Sequence, residues 1–463
     1  MLKKAMLVGA IFLSALSAKE PDTTEQPKKY SRPVGFQFSA KPSSITLSSA
    51  LYTGSIIEKN MGHVFDFGMD FLKPEKTWTR CAYELWIYPM LFGPIHKAVR
   101  RTYQLYGKAK RIEATGDTPE YFICYDESRE HNYFSLLGRN IWYTYLEPFS
   151  DHGMHIDVLP KEAEKKDLEE AIGVLMGKNA STTEVSKLIR NKDVFNAYES
   201  IMSSRYTTEQ RILIEAAEHN SLMQYAKNLE DMLWYDDGAH VAQMTGYMAS
   251  KWSGVFACIK QMILESHVSQ TTLKSTPIGR VESLYNKAGI TSSYKLFMGA
   301  SVLASLLSAE TISRLMSDVS FAKTGDTFMP VPEWNGLRLP NFSLYLTSQG
   351  PSLFVNTGYK WSKTLFMPIS MEYVFLGNAK QIELGIGLRK YFEYCFLHVE
   401  TILNAQQKAA GGKVLVGLKP FQNFEFLLGV RLDHSQTLEG ERNIEKTTDK
   451  YSTSFTLGAQ YDL

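Results

Sequence analysis

The chain has 463 residues, with 50 Lys and Arg against 49 Asp and Glu, so its net charge is +1 and it lacks the basic excess of a nucleic-acid-binding domain. Apolar residues make up 44% and charged residues 21%, the balance of an ordinary folded chain long enough for two or more domains. Aromatic residues reach 12%, which suits extended strands or a membrane interface.

The first 18 residues have the order of an export signal: Lys3 and Lys4, then the apolar run "AMLVGAIFLSALSA", ending in the small residues Ala15, Ser17 and Ala18. The run is short for a membrane helix, which needs about 20 apolar residues. Residues 19–33, "KEPDTTEQPKKYSRP", read as a solvated linker. Residues 34–75 are mixed, and "VGFQFSAK" and "SSITLSSALYTGSII" are candidate strands. The cysteines at 81, 124, 258 and 395 are widely spaced with no C-x-x-C pair, so neither a zinc site nor a thioredoxin-like centre is supported; an oxidising compartment would allow one or two disulfides.

From 76 to 330 the pattern is mainly helical. "STTE" (181–184) and "TTEQ" (207–210) have capping-box spacing. After the second, Ile212, Leu213, Ala216, Ala217, Asn220, Met223, Ala226 and Leu229 keep a helical period, with one polar residue, Asn220, on an otherwise apolar stripe. Pro160 and Gly177 punctuate another helix over 160–179. Residues 296–316 form the most apolar helix of the region; Glu310 and Arg314 argue against a membrane span and for a buried core helix.

This region also holds the candidate sites. In 83–111, Lys97, Arg100, Arg101, Lys108, Lys110 and Arg111 interleave with aromatic residues, which suits lipid headgroups or another anion; a solvated basic face above an aromatic core is the competing reading. In "DHGMHID", His152 and His155 stand between Asp151 and Asp157, ligand types suited to a divalent metal, although Asp157 also fits a helix cap. Glu215 and His219 lie one helical turn apart, and His240 is a further candidate ligand; buried or capping roles are the competing reading. No zincin, nucleophile-elbow, Walker A or dinucleotide motif occurs, so no catalytic residue and no cofactor is assigned.

Near 335 the period changes to two. Eight alternating segments follow, at about 341–348, 352–361, 364–376, 380–390, 393–404, 412–419, 423–433 and 451–463. The fourth sets Ile382, Leu384, Ile386 and Leu388 against Glu383, Gly385, Gly387 and Arg389. The predicted fold class is therefore α+β, a mainly helical domain followed at 335–463 by an antiparallel β-barrel of about eight strands. Alternation alone fits both a soluble barrel, apolar face inward, and an outer-membrane barrel, apolar face toward lipid. The connections alternate in length, with "HSQTLEGERNIEKTTD" (434–449) long and "PFQN" (420–423) short, as outer loops and inner turns of a membrane barrel do. Lys360, Glu372, Glu383, Arg389, His398, Glu400, Lys413, Lys419, Glu425 and Arg431 share the polar face and would pair across a narrow interior.

The last ten residues, "SFTLGAQYDL", resemble the C-terminal signal of bacterial outer-membrane β-barrel proteins: Phe455, Leu457, Ala459, Tyr461 and Leu463 alternate to the end, with Leu463 where that pattern prefers Phe. The resemblance implies insertion by the outer-membrane assembly machinery, and it does not reach the helical region. The expectation is an exported cell-envelope protein in contact with outer-membrane lipid, its helical periplasmic domain binding or scaffolding and its barrel anchoring. The alternative is an envelope hydrolase, in a metal-dependent form using His152, His155, His219 or His240.

Overall fold

The structure, a computed structural model, describes residues 33–40, 65–74, 76–87, 207–267, 277–291, 293–377, 380–421, 424–443 and 450–462. It is a mixed α+β fold. Strand β1 (Pro33–Ala40) comes first, then a helical stretch at 65–72 and helices α1 (Thr77–Ile87), α2 (Thr208–Tyr235), α3 (Thr245–His267), α4 (Pro277–Lys287), α5 (Tyr294–Leu307) and α6 (Ala309–Thr324). The two-residue strands β2 (Ala239–His240) and β3 (Phe328–Met329) pair with each other. The C-terminal part carries β4 (Glu333–Trp334), β5 (Leu337–Thr347), β6 (Gly350–Ser362), β7 (Leu365–Val374), β8 (Ile382–Tyr391), β9 (Cys395–Asn404), β10 (Ala409–Phe421), β11 (Phe424–His434), the short helix α7 (Leu438–Asn443) and β12 (Tyr451–Asp462). The helices predicted at 160–179 and after 181, and the candidate strand at 43–57, lie outside the described residues.

All eight alternating segments are strands, β5 to β12, joined as antiparallel neighbours in chain order. The predicted strand "VGFQFSA" joins them as β1. It pairs antiparallel with the terminal strand from Pro33↔Asp462 to Ala40↔Phe455, so the last residues of the chain are an inner strand of the sheet. With β4 the sheet has ten strands, in the order β1-β12-β11-β10-β9-β8-β7-β6-β5-β4.

The sheet is not closed into the expected barrel. Its two ends are β1 and the β4–β5 edge, and the cause lies in the helices. Asn220 of α2 accepts from the Leu346 amide at 2.9 Å and donates to the Leu346 carbonyl at 2.8 Å. The Ser308 hydroxyl accepts from the Phe342 amide at 3.0 Å, and Lys251 donates to the Phe342 carbonyl at 2.7 Å. The His219 ring binds the Leu344 carbonyl at 2.7 Å. The edge groups of β5 that a closing strand would use are thus taken by helical side chains. This also accounts for Asn220 on an apolar stripe.

The sheet is inside out by the standard of a soluble protein. Along β8, Glu383 is 4% exposed while its neighbour Leu384 is 53% exposed, and Ile382 and Ile386 are exposed with it. On β11, Glu425 and Asp433 are buried while Phe426, Leu428, Val430 and Leu432 are exposed. On β12, Ser452 and Ser454 are buried and Phe455 and Leu457 exposed. Alternating side chains take opposite faces of a strand, so each apolar stripe continues onto its neighbour, as in Leu428↔Leu457 and Val414↔Val430. The outward face is an apolar belt. Exposed aromatic residues, Trp334, Trp361, Tyr394 and Phe421, gather at the end of the sheet that carries the short turns.

The described helices pack on the sheet chiefly through α2 and α5 against β5. One core joins Phe65, Tyr83, Tyr225, Leu229, Tyr247, Phe321 and Met329; another joins Ile212, Cys258, Val281, Tyr285, Phe297, Leu344 and Leu346. The single core helix predicted over 296–316 is corrected on two counts. It is two helices, α5 and α6, meeting at 60° where Ser308 adopts an extended conformation and gives its hydroxyl to β5. Phe297 and Ala304 are buried as expected of a core helix, but most of its large apolar residues point outward: Leu303, Leu306, Leu307, Ile312, Leu315 and Met316, with Val319 beyond, are exposed, whereas Ser301, Ser305, Glu310, Thr311, Ser313, Arg314 and Ser317 are buried.

Gly358 of β6 fixes how closely α2 approaches the sheet. A Cβ there would lie 2.3 Å from the Trp234 ring and 2.7 Å from the Met367 carbonyl oxygen. Gly358→Val should lower stability by about 1–3 kcal/mol through overpacking, read as a lower midpoint of thermal unfolding.

Candidate functional site

The candidate site is the polar concavity of the sheet and the helix that occupies it. Helix α2 starts at Thr207, whose side chain accepts from the Gln210 amide while Gln210 reaches back to the Thr207 amide, the capping box legible in "TTEQ". Of its 28 residues, those in the first turns, with Ile212 and Ala216, pack with Leu344 and Leu346 at the β5 edge, and from Leu222 onward the helix runs along the polar face and touches side chains of β5 to β9.

Its N-terminal half is fixed by apolar packing. Leu222 and Met223 cluster with Tyr345 and Phe354, next to the Asn220 and His219 bonds to β5. Its C-terminal half is fixed by charge. Arg338 of β5 is fully buried and binds Asp231 of α2 at 3.0 Å and Glu310 of α6 at 3.0 Å, with its guanidinium carbon 5.1 Å from the Trp234 ring centroid. Lys251 of α3 binds Glu230 at 2.9 Å, both side chains being 1% exposed. Asn356 of β6 donates to Asp231 at 3.0 Å. Five elements thus meet in one buried polar network, Asn356 also reaching Glu230 at 3.3 Å, and charges so removed from water persist only when paired.

The polar face of the sheet continues the network. Lys360 binds Asp237 beyond the end of α2 at 2.6 Å, Lys413 binds Glu400 at 2.6 Å and Lys419 binds Glu425 at 3.2 Å. Glu372 accepts from Ser352 at 2.5 Å. Arg389 lies 4.1 Å from the Tyr235 ring centroid and 4.0 Å from that of Phe396, a desolvated cation–π stack. His398 is 3.5 Å from Glu400. Of the charges expected to pair across an interior, Lys413 and Glu400, and Lys419 and Glu425, pair between neighbouring strands, while Lys360 binds Asp237 and Arg431 binds Asp433 and Glu439; Glu372 binds a hydroxyl, Glu383 two backbone amides, and Arg389 stacks on rings.

The long connection after β11 closes the other end. Glu383 accepts from the Leu438 and Glu439 amides at 2.5 and 2.9 Å, and Arg431 binds Glu439 at 2.8 Å. The Ser348 amide donates to Glu441 at 2.6 Å. Helix α7 is thereby held over the concavity, with Leu438 1% exposed. Burial disfavours the Glu439 carboxylate, but Arg431 and Lys227 outweigh burial and Glu400 and, with a smaller contribution from Lys413, hold it at about 2, below the ordinary 4.5.

The residues singled out in the sequence fall in two groups. Lys97, Arg100, Arg101, Lys108, Lys110, Arg111, His152 and His155 lie outside the described residues, as does Cys124. His219 and His240 are both buried and serve different partners. His219 ties α2 to β5, and His240 binds Asp66 at 2.8 Å and accepts from the Ala242 amide at 3.0 Å as the cap of a short 3₁₀ turn. Glu215 binds Arg280 at 2.8 Å. Among the described residues, no three His, Cys, Asp or Glu side chains are grouped to hold a metal, and Cys81, Cys258 and Cys395 are free thiols. Sequence reading missed Arg338, Lys251 and Asp231. Their only signal is a charge on a strand or helix otherwise rich in apolar residues. Comparison with known protein families, characterised proteins and solved structures finds no match.

The geometry is that of a filled, charge-paired interior. Arg338→Met should strip Glu310 and Asp231 of their shared cation and cost about 3–5 kcal/mol, seen as a lower denaturant midpoint, with Glu310→Gln in the same chain restoring part of the loss. A carboxylate whose value is depressed on folding stabilises above its ordinary value and ceases to do so as pH falls toward the folded one. Docking of α7 should therefore weaken between about pH 4.5 and about pH 2, followed by limited proteolysis of the 434–449 connection, and Glu439→Gln should flatten that dependence.

Proposed function

We propose that the chain is an exported envelope protein whose inside-out sheet stands in the outer membrane as an anchoring wall, apolar belt to lipid, with α2 and α7 filling its polar concavity. The observation that carries this reading is the inversion of β8, β11 and β12, where serines and carboxylates are buried and leucines, valines and phenylalanines exposed. An apolar exterior of this extent costs free energy in water at about 25 cal/mol per Å², and in lipid it does not. The export-type N-terminus, the terminal alternation now paired in the sheet, and the exposed aromatic residues at the short-turn end support the same reading.

The role proposed is that of an anchor and scaffold rather than an open diffusion channel, because α2 occupies the space a pore would need and its charges are neutralised in place. Contact with lipid and insertion by the assembly machinery follow from it as proposals of the same kind.

Cells producing the full chain test this directly. The protein should fractionate with the outer membrane, and unheated samples should migrate differently from boiled ones on a gel. Tyr461→Asp with Leu463→Asp should abolish the folded band and leave the chain unassembled. Recovery of the native chain in a detergent-free soluble fraction, or normal membrane assembly of the double variant, would overturn the proposal.

A further inference from the structure

Helices α5 and α6 repeat the inversion of the sheet. On α6, Ile312, Leu315, Met316 and Val319 recur at i, i+3, i+4 and i+7 and all are exposed, while Glu310, Arg314 and Ser317 on the opposite side are buried. A soluble amphipathic helix does the reverse. The charged groups sort the same way. Glu310 turns inward to Arg338, and Arg314 turns inward to Asp318 and, at 3.6 Å, to Glu84. The exposed lysines, Lys295 and Lys323, stand near the two outer ends of the pair, where long cationic side chains reach a headgroup region.

Position gives the second observation. Ser308, at the bend, is bonded to the Phe342 amide of β5, and the α6 amide of Glu310 donates to Asn341 of the same strand at 3.1 Å. The bend therefore sits on the edge where the sheet stops, so the apolar faces of α5 and α6 adjoin the apolar belt. Among the described residues no single helix is long and apolar enough to cross a membrane; these two together have the length and composition of a broken span, bent by 60°. At 14 and 16 residues, they measure about 21 and 24 Å, against roughly 30 Å of hydrocarbon.

We propose that α5 and α6 form a bent lipid-facing segment that completes the wall at β5, with acyl chains as the occupant of their exposed faces. The proposal rests on the membrane reading of the sheet but is separable from it by experiment. The full-length chain, with its four native cysteines replaced by Ser, is given a single cysteine carrying an environment-sensitive fluorophore at Leu384 of β8, at Leu303 of α5 or at Met316 of α6. Each is reconstituted in phosphatidylcholine vesicles containing a doxyl-labelled lipid, and gel migration checks that each is folded; Leu307 and Val319 replace any position whose variant fails. Quenching by the doxyl lipid at 303 and 316 to the extent seen at 384 supports the proposal. Lipid quenching at 384 with iodide quenching at 303 and 316 overturns it and leaves the sheet reading intact. Shielding of 303 and 316 from both quenchers means a protein occupant, such as a second copy, and also overturns it. Absence of lipid quenching at 384 overturns both.

Discussion

Arg338 joins a strand of the sheet to two helices through Asp231 and Glu310, and the rest of the architecture depends on that junction. A guanidinium with no exposure to water must be neutralised where it stands, and both carboxylates come from elements far from β5 in sequence. Once α2 and α6 are held there, Asn220, Ser308 and Lys251 fall on the edge groups of β5 and stop the sheet. The same charge that fills the interior therefore decides where the wall ends.

The interior is polar, so the apolar residues needed to drive association lie elsewhere. Soluble folds bury leucine and expose glutamate; here β8 and β11 bury glutamate and expose leucine, and α6 exposes leucine while burying glutamate and arginine. Such an arrangement is stable only if the medium outside is itself apolar, or if a partner covers the whole belt. Heavy charge pairing inside and an apolar belt outside are two consequences of one division of the sequence between its faces. The aromatic residues at the short-turn end fit the boundary between such a medium and water.

Much of this was legible in the sequence because a strand with period two displays both of its faces. Ile382 to Gly387 states the alternation and the structure adds which side is buried; Leu388 departs from it, being buried although it follows Ile382, Leu384 and Ile386 in the pattern. "TTEQ" announced the start of α2, and "VGFQFSA" announced β1, although nothing local says that β1 pairs with residues over 400 positions away. The open edge was not legible: it depends on side chains such as Asn220 and Ser308 meeting a particular strand, a long-range coincidence that no window of sequence contains. Residues 296–316 misled for a related reason. An apolar helix reads as a core helix unless its surroundings are known, and Ser308 gives no local sign that it is a bend. His219 and His240 are ligand types, and the partners they meet come from distant or backbone positions that no local pattern shows: the Leu344 carbonyl for His219, and Asp66 with the Ala242 amide for His240.

The central claim, that the exposed apolar belt faces lipid, is tested most directly by extracting membranes of cells producing the chain with alkaline carbonate. A chain whose sheet is embedded stays with the outer-membrane pellet throughout. Release into the supernatant together with peripheral proteins would contradict the account and require a covering partner for the belt instead.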